Sequence, residues 1–92
     1  MPRVPSEAAA KVGRMIGERR RTVGLSQDQL AAGSGIDSSN IRAYENGRAM
    51  PNVQSLVRIA YALGLRPGAL IDELSPELFA APENDGRRKT GP

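Results

Sequence analysis

The sequence predicts an all-α domain, and three stretches carry that prediction. Residues 25–47 hold two short helix-length segments, each with a start signal, separated by a glycine-bearing break. Upstream, Ala8, Val12, Ile16 and Arg20 recur every four residues, the spacing of one helical face. Downstream, Val53, Leu56, Ile59, Ala60 and Leu63 form a second apolar face that opens after Asn52 and stops at Gly64. With a shorter segment starting at Pro67 the expected count is five helices, and Ser75-Pro76 marks a candidate short sixth turn.

In chain order, Met1 to Pro5 carries two prolines and reads as a flexible arm. Ser6 is a good N-cap, with Glu7 placed where a helix start favours an acid. The first helix is expected over about residues 7–23, closed by Val23-Gly24. Ser26 with Gln29 three residues on makes a capping-box candidate for the second helix, in which Leu30 and Ala31 face a core. That segment ends in Gly33-Ser34-Gly35, with Gly35 where the turn needs a positive backbone dihedral. Asp37 is expected to cap the third helix, where Ile41, Tyr44 and Glu45 share one face; Asn46-Gly47 ends it. Two helices joined by such a turn describe a helix-turn-helix. Asn52 caps the fourth helix, and Pro67 opens the fifth, whose apolar residues are Leu70, Ile71 and Leu74. Glu77, Leu78 and Phe79 fall in the sixth turn. Residues 82–92 are polar and expected to be disordered, which leaves one domain over 6–81.

Composition narrows the function classes. Ninety-two residues make one domain with a small core, and one Phe, two Tyr and no Trp leave that core to Leu, Ile, Val and Ala. The chain has no cysteine and no histidine, so a thiol nucleophile, the usual general base and the usual zinc ligand sets are missing. Asp72 and Glu73 are adjacent and fall on different helix faces, a poor acid–base pair. An enzyme is not expected, nor is any metal or cofactor. No apolar run approaches the roughly 18 residues of a spanning helix, so a cytoplasmic location is expected. The net charge of +3 is unevenly spread: residues 1–24 carry six bases against two acids.

The stretch from Leu25 to Gly47 resembles the phage-repressor (Cro-like, XRE) family. Its opening Leu25-Ser26-Gln27 with Leu30-Ala31 and its ending Tyr44-Glu45-Asn46-Gly47 match the family's "LSQ-x-x-LA" and "ENG" motifs, and Ala31, Gly35 and Ile41 keep the small–glycine–apolar spacing. The resemblance implies a five-helix lambda-repressor-like domain that binds double-stranded DNA as a transcriptional regulator, with helix 38–46 in the major groove. It further implies an Arg20–Glu45 bridge between the first and third helices; the other reading of Arg20 is a solvated or DNA-contacting base. Two departures stand out. Arg19 occupies a position where the family usually has Leu, and Arg66 stands before Pro67 where a Ser or Thr cap is common.

With Ile41, Tyr44 and Glu45 turned inward, the outward residues Ser38, Ser39, Arg42 and Ala43 are the candidate base contacts. Arg42 could grip guanine with both arms or pair with Asp28 or Glu45, and Ala43 could meet a thymine methyl. Asn40 lies at the edge, within reach of phosphate or base. The resemblance places Gln27 and Asn46 on phosphates; Arg48, just beyond, is by its position a further candidate clamp. Leu70, Ile71, Leu74, Leu78 and Phe79 exceed what one small core needs and are the expected dimer interface; alternatively Leu78 and Phe79 fold back over the core. An antitoxin that also binds a toxin, or the controller of a restriction–modification operon, would share this build.

Overall fold

The computed structural model describes residues 6–79, so the arm 1–5, the tail 82–92 and the domain boundary at 81 lie outside the described residues. Four α-helices follow one another: α1 (Glu7–Thr22), α2 (Gln27–Ser34), α3 (Ser38–Glu45) and α4 (Val53–Ala62). Two short 3₁₀ turns, Pro67–Leu70 and Pro76–Leu78, come after them. The class is all-α, as expected, but the fifth helix is reduced to the first of these turns. Its cause is local: Arg66 offers no capping side chain, Gly68 sits inside the segment, and the N–H of Ile71 already bonds back to Gly68.

The helix starts are set by side chains. Ser6 Oγ accepts from the Ala9 N–H at 3.0 Å, opening α1. Ser26 and Gln29 form a reciprocal capping box at 3.0 and 2.8 Å, opening α2. Asn52 accepts from the Ser55 N–H at 2.8 Å at the head of α4. Asp37 stands at the cap of α3 but makes no capping hydrogen bond; its carboxylate takes the Ser39 hydroxyl instead. Between α2 and α3, Gly35 adopts the left-handed conformation at φ 73°, which closes α2 and turns the chain without a Cβ penalty.

These starts direct one apolar face of each helix inward. Val12, Ile16, Leu30, Ile41, Ile59, Leu63 and Leu70 are the largest fully buried side chains. The buried Ser34 hydroxyl donates to the Leu30 carbonyl at 2.7 Å, so a polar atom in the core is satisfied within its own helix. Two expectations are corrected. Val53, placed on the core face of α4 by its spacing, is 76% exposed: the face that packs is centred on Leu56, Ile59, Ala60 and Leu63, and Val53 lies off it in the first turn. Leu70 is 1% exposed, plugging the core beneath α4, and cannot form part of a surface for a second chain. Arg19, which thins the apolar stripe of α1, sends its Nε to the Leu63 carbonyl at 3.1 Å. A cation thereby closes the C-terminal end of α4, where the helix dipole favours it.

The two ends of the described chain meet. Ser6 and Phe79 form an isolated antiparallel β-bridge, and Lys11 reaches Glu73 at 3.4 Å nearby. That ion pair is largely solvated and contributes little stability.

Candidate nucleic-acid interface

The surface of interest is the outer face of α3, and its presentation depends on how α1 holds the helix from behind. α1 carries Gly13 and Gly17 four residues apart in its interior, positions at which glycine costs about 1 kcal/mol each against alanine. The close approach explains them. A Cβ on Gly13 would lie 2.2 Å from the Tyr44 carbonyl oxygen and 2.9 Å from that of Glu45. A Cβ on Gly17 would sit 3.3 Å from Glu45 Oε1. The last turn of α3 therefore rests directly on the α1 backbone, and only glycine fits at position 13. The sequence held the signal, two glycines at helical spacing in an otherwise helix-favouring stretch.

Above Gly17 lies a charged network. Arg20 Nε donates to Glu45 Oε2 at 2.7 Å and Nη2 to Oε1 at 3.0 Å, a bidentate pair, while Nη1 donates to the Leu25 carbonyl at 2.9 Å. Gln27 Nε2 donates to the same Glu45 Oε1 at 3.0 Å. The pair is well covered, with side-chain exposures of 12% for Arg20 and 7% for Glu45. Burial alone pushes the Glu45 carboxyl up, but the hydrogen bonds from Arg20 and Gln27 and the nearby charges of Arg20 and Arg21 outweigh it. The net result is a pKa below the usual glutamate range. One carboxylate thus ties α1, the start of α2 and the end of α3 together.

With its inner side fixed, α3 buries only Ile41 completely. Ser39, Asn40 and Arg42 are exposed; Ser38 and Ala43 are half-buried. Of the two ion pairs among the described residues neither involves Arg42, so pairing with Asp28 or Glu45 does not occupy it. Ser39 spends its proton on Asp37 and keeps acceptor capacity outward. Asn46 and Arg48 are exposed on either side of Gly47, beyond the end of the helix. Gln27 lies at the same edge, with one of its amide protons given to Glu45 and the other, with the amide oxygen, still free to act. Gln27 thus lies near the C-terminal end of α3, which Asn46 caps and Arg48 follows. Of the C-terminal apolar residues, Leu78 lines a surface hollow with Ala10, on which Gly47 rests, while Leu74 and Phe79 line a separate depression.

Residues 16–70 match the helix-turn-helix family. The chain belongs to the XRE-type helix-turn-helix family. This family consists of DNA-binding regulators, not enzymes. Among relatives, the human endothelial differentiation-related factor 1 is 41% identical over 56 residues, covering 61% of this chain and 38% of that protein. The chain therefore spans less than half the length of that relative. Among solved structures, the restriction-modification controller protein C.AhdI from Aeromonas hydrophila superimposes with a TM-score of 0.67 at 33% identity. That match covers 68% of this chain and 96% of the controller. The P22 c2 repressor, solved with a synthetic operator, gives 0.61 at 27% identity, covering 64% and 89% of the two chains. Among the described residues no cluster of acidic side chains could hold a metal ion, and no helix is long and apolar enough to cross a membrane.

Proposed function

We propose that this XRE-type chain is a sequence-specific repressor that reads the major groove of an operator with the outer face of α3, as a homodimer in the cytoplasm. The observation that carries the reading is the exposed Arg42, in no ion pair among the described residues, on a helix whose inner side is locked by Arg20, Glu45 and Gly13. A guanidinium held on a rigid helix suits bidentate recognition of guanine, because little freedom is lost on contact. Ser38, Ser39 and Ala43 would complete the base-facing row, and Asn40 its edge. Gln27, Asn46 and Arg48 would grip the flanking phosphates.

Dimerisation is supported by the C-terminal segment. Ile71 and Phe79 are 41% and 48% exposed, and Leu74 with Phe79 lines a shallow apolar depression closed by Ser75 and Pro76. With Leu70 withdrawn into the core, the interface reduces to Ile71, Leu74, Leu78 and Phe79. One helix in one groove makes few base contacts, so two half-sites about 34 Å apart are expected.

Footprinting on the DNA upstream of its own coding sequence tests the reading. Arg42→Ala should cost about 1–3 kcal/mol at one base position per half-site and relax specificity there. Equal losses on operator and random DNA would reassign Arg42 to phosphate. The similarity to a restriction-modification controller favours a second reading, a controller of that kind. An antitoxin role would instead be seen as a stoichiometric toxin recovered from native cells.

A further inference from the structure

The network around Glu45 leaves one arginine unexplained. Arg21 is exposed, and Glu18, one turn back on α1, is the partner a solvated arginine would ordinarily take. It does not take it, since the ion pairs among the described residues involve only Lys11, Glu73, Arg20 and Glu45. Its head instead lies back over Gly17, with Nη1 3.3 Å from where a Cβ would be, beside the Glu45 carboxylate. Glu45 already receives three hydrogen bonds from Arg20 and Gln27, so its negative charge is answered without Arg21. The glycine that lets α3 approach also makes a shallow seat for a free guanidinium next to Gln27.

A second arginine lies on the same side of α1. Arg14 precedes Arg21 by seven residues, which returns to the same helical face. It is exposed and shares a surface hollow with Ala10, Glu7, Lys11 and Leu78. Ala10 is the residue on which Gly47 rests: a Cβ on Gly47 would be 3.1 Å from the Ala10 Cα. Arg14 and Arg21 therefore bracket the C-terminal end of α3, Arg14 on the Gly47 side and Arg21 on the Gln27 side.

We propose that α1 supplies its own phosphate contacts, Arg21 and Arg14, which extend the backbone grip beyond Gln27, Asn46 and Arg48. The proposal rests on the DNA-binding reading above. Both are sequence-independent contacts: an arginine fork suits a phosphate, and neither residue lies on the base-facing side of α3.

The test is the salt dependence of binding by the full chain to a fluorescent random-sequence DNA duplex and to the footprinted operator. Arg21→Gln and Arg14→Gln should each shallow the slope of log affinity against log salt by about 1, and the double variant by about 2. Affinity for both DNAs should fall in the same ratio, with an unchanged thermal midpoint. Arg66→Gln, on the turn packed against α4 and α1, serves as the control and should keep the wild-type slope. A wild-type slope in Arg21→Gln overturns the proposal, and a lowered midpoint with that slope would show that Arg21 only screens Glu45. Wild-type protein that binds no duplex at low salt would instead remove the DNA-binding reading, and this inference with it.

Discussion

Where α1 crosses the end of α3, backbone lies on backbone and a carboxylate is gripped from two sides; from Pro67 on the chain makes two uncapped turns and leaves Ile71 and Phe79 half in water. The first region tolerates almost no change of shape, because neither a carbonyl oxygen nor a helix axis can move aside cheaply. The second has apolar surface without partners of its own. The difference teaches where each kind of constraint belongs. The proposed groove reading needs α3 held rigidly, whereas the proposed pairing surface must remain partly uncovered.

Breaking the seam should give the largest effects. Arg20→Ala strands the Glu45 carboxylate with only Gln27, and should cost about 3–5 kcal/mol in denaturant unfolding. A loss under about 1 kcal/mol would show that the pair merely decorates a joint made by packing. Gly13→Ala drives a methyl against the Tyr44 carbonyl and should cost about 2–3 kcal/mol, with α3 displaced and DNA binding weakened beyond the stability loss. Near-neutral behaviour would mean that α3 slides freely on α1.

The pH response sharpens the same point more gently. Because the Glu45 pKa is lower folded than unfolded, its contribution is fully present above the ordinary glutamate range. It is lost as pH falls through the depressed folded value. Wild type should therefore lose stability on acidification more steeply than Glu45→Gln, and identical acid profiles would contradict the assignment. The C-terminal region should show the smallest effects on folding. Phe79→Asp and Ile71→Asp together should change stability little, within about 1 kcal/mol, yet shift sedimentation at micromolar concentration from dimer to monomer. A monomeric wild type, with operator binding untouched by both substitutions, would sink the proposed interface.

Local signals were legible in the sequence, and contacts between distant residues much less so. The Ser26–Gln29 box, the Asn52 cap and the left-handed Gly35 depend on residues within a few positions, and each reads correctly. Asp37 shows the limit of that rule, since Ser39 competes for its carboxylate. Val53 fails for another reason: periodicity assigns a side of the helix, but the first turn of α4 overhangs the core. Arg19 could not be placed from spacing, because its partner is a carbonyl 44 residues away whose exposure depends on where α4 ends. Gly13 and Gly17 were legible in principle, as helix-interior glycines without a local reason. Of the row expected to face outward on α3, Ser39 and Arg42 are exposed, whereas Ser38 and Ala43 are half-buried.

The Ser6–Phe79 bridge joins the two ends of the described chain edge to edge. The domain is accordingly a nearly closed loop of chain, with entry and exit side by side, next to the proposed pairing surface. A short linker from Phe79 to Ser6 would close it, and new ends could then be opened in the exposed turn at Gly24, which touches nothing within 4 Å of its would-be Cβ. The same adjacency makes the fold a cassette: spliced into a surface loop of another protein, it would separate the host's strands or helices by no more than the width of one β-bridge.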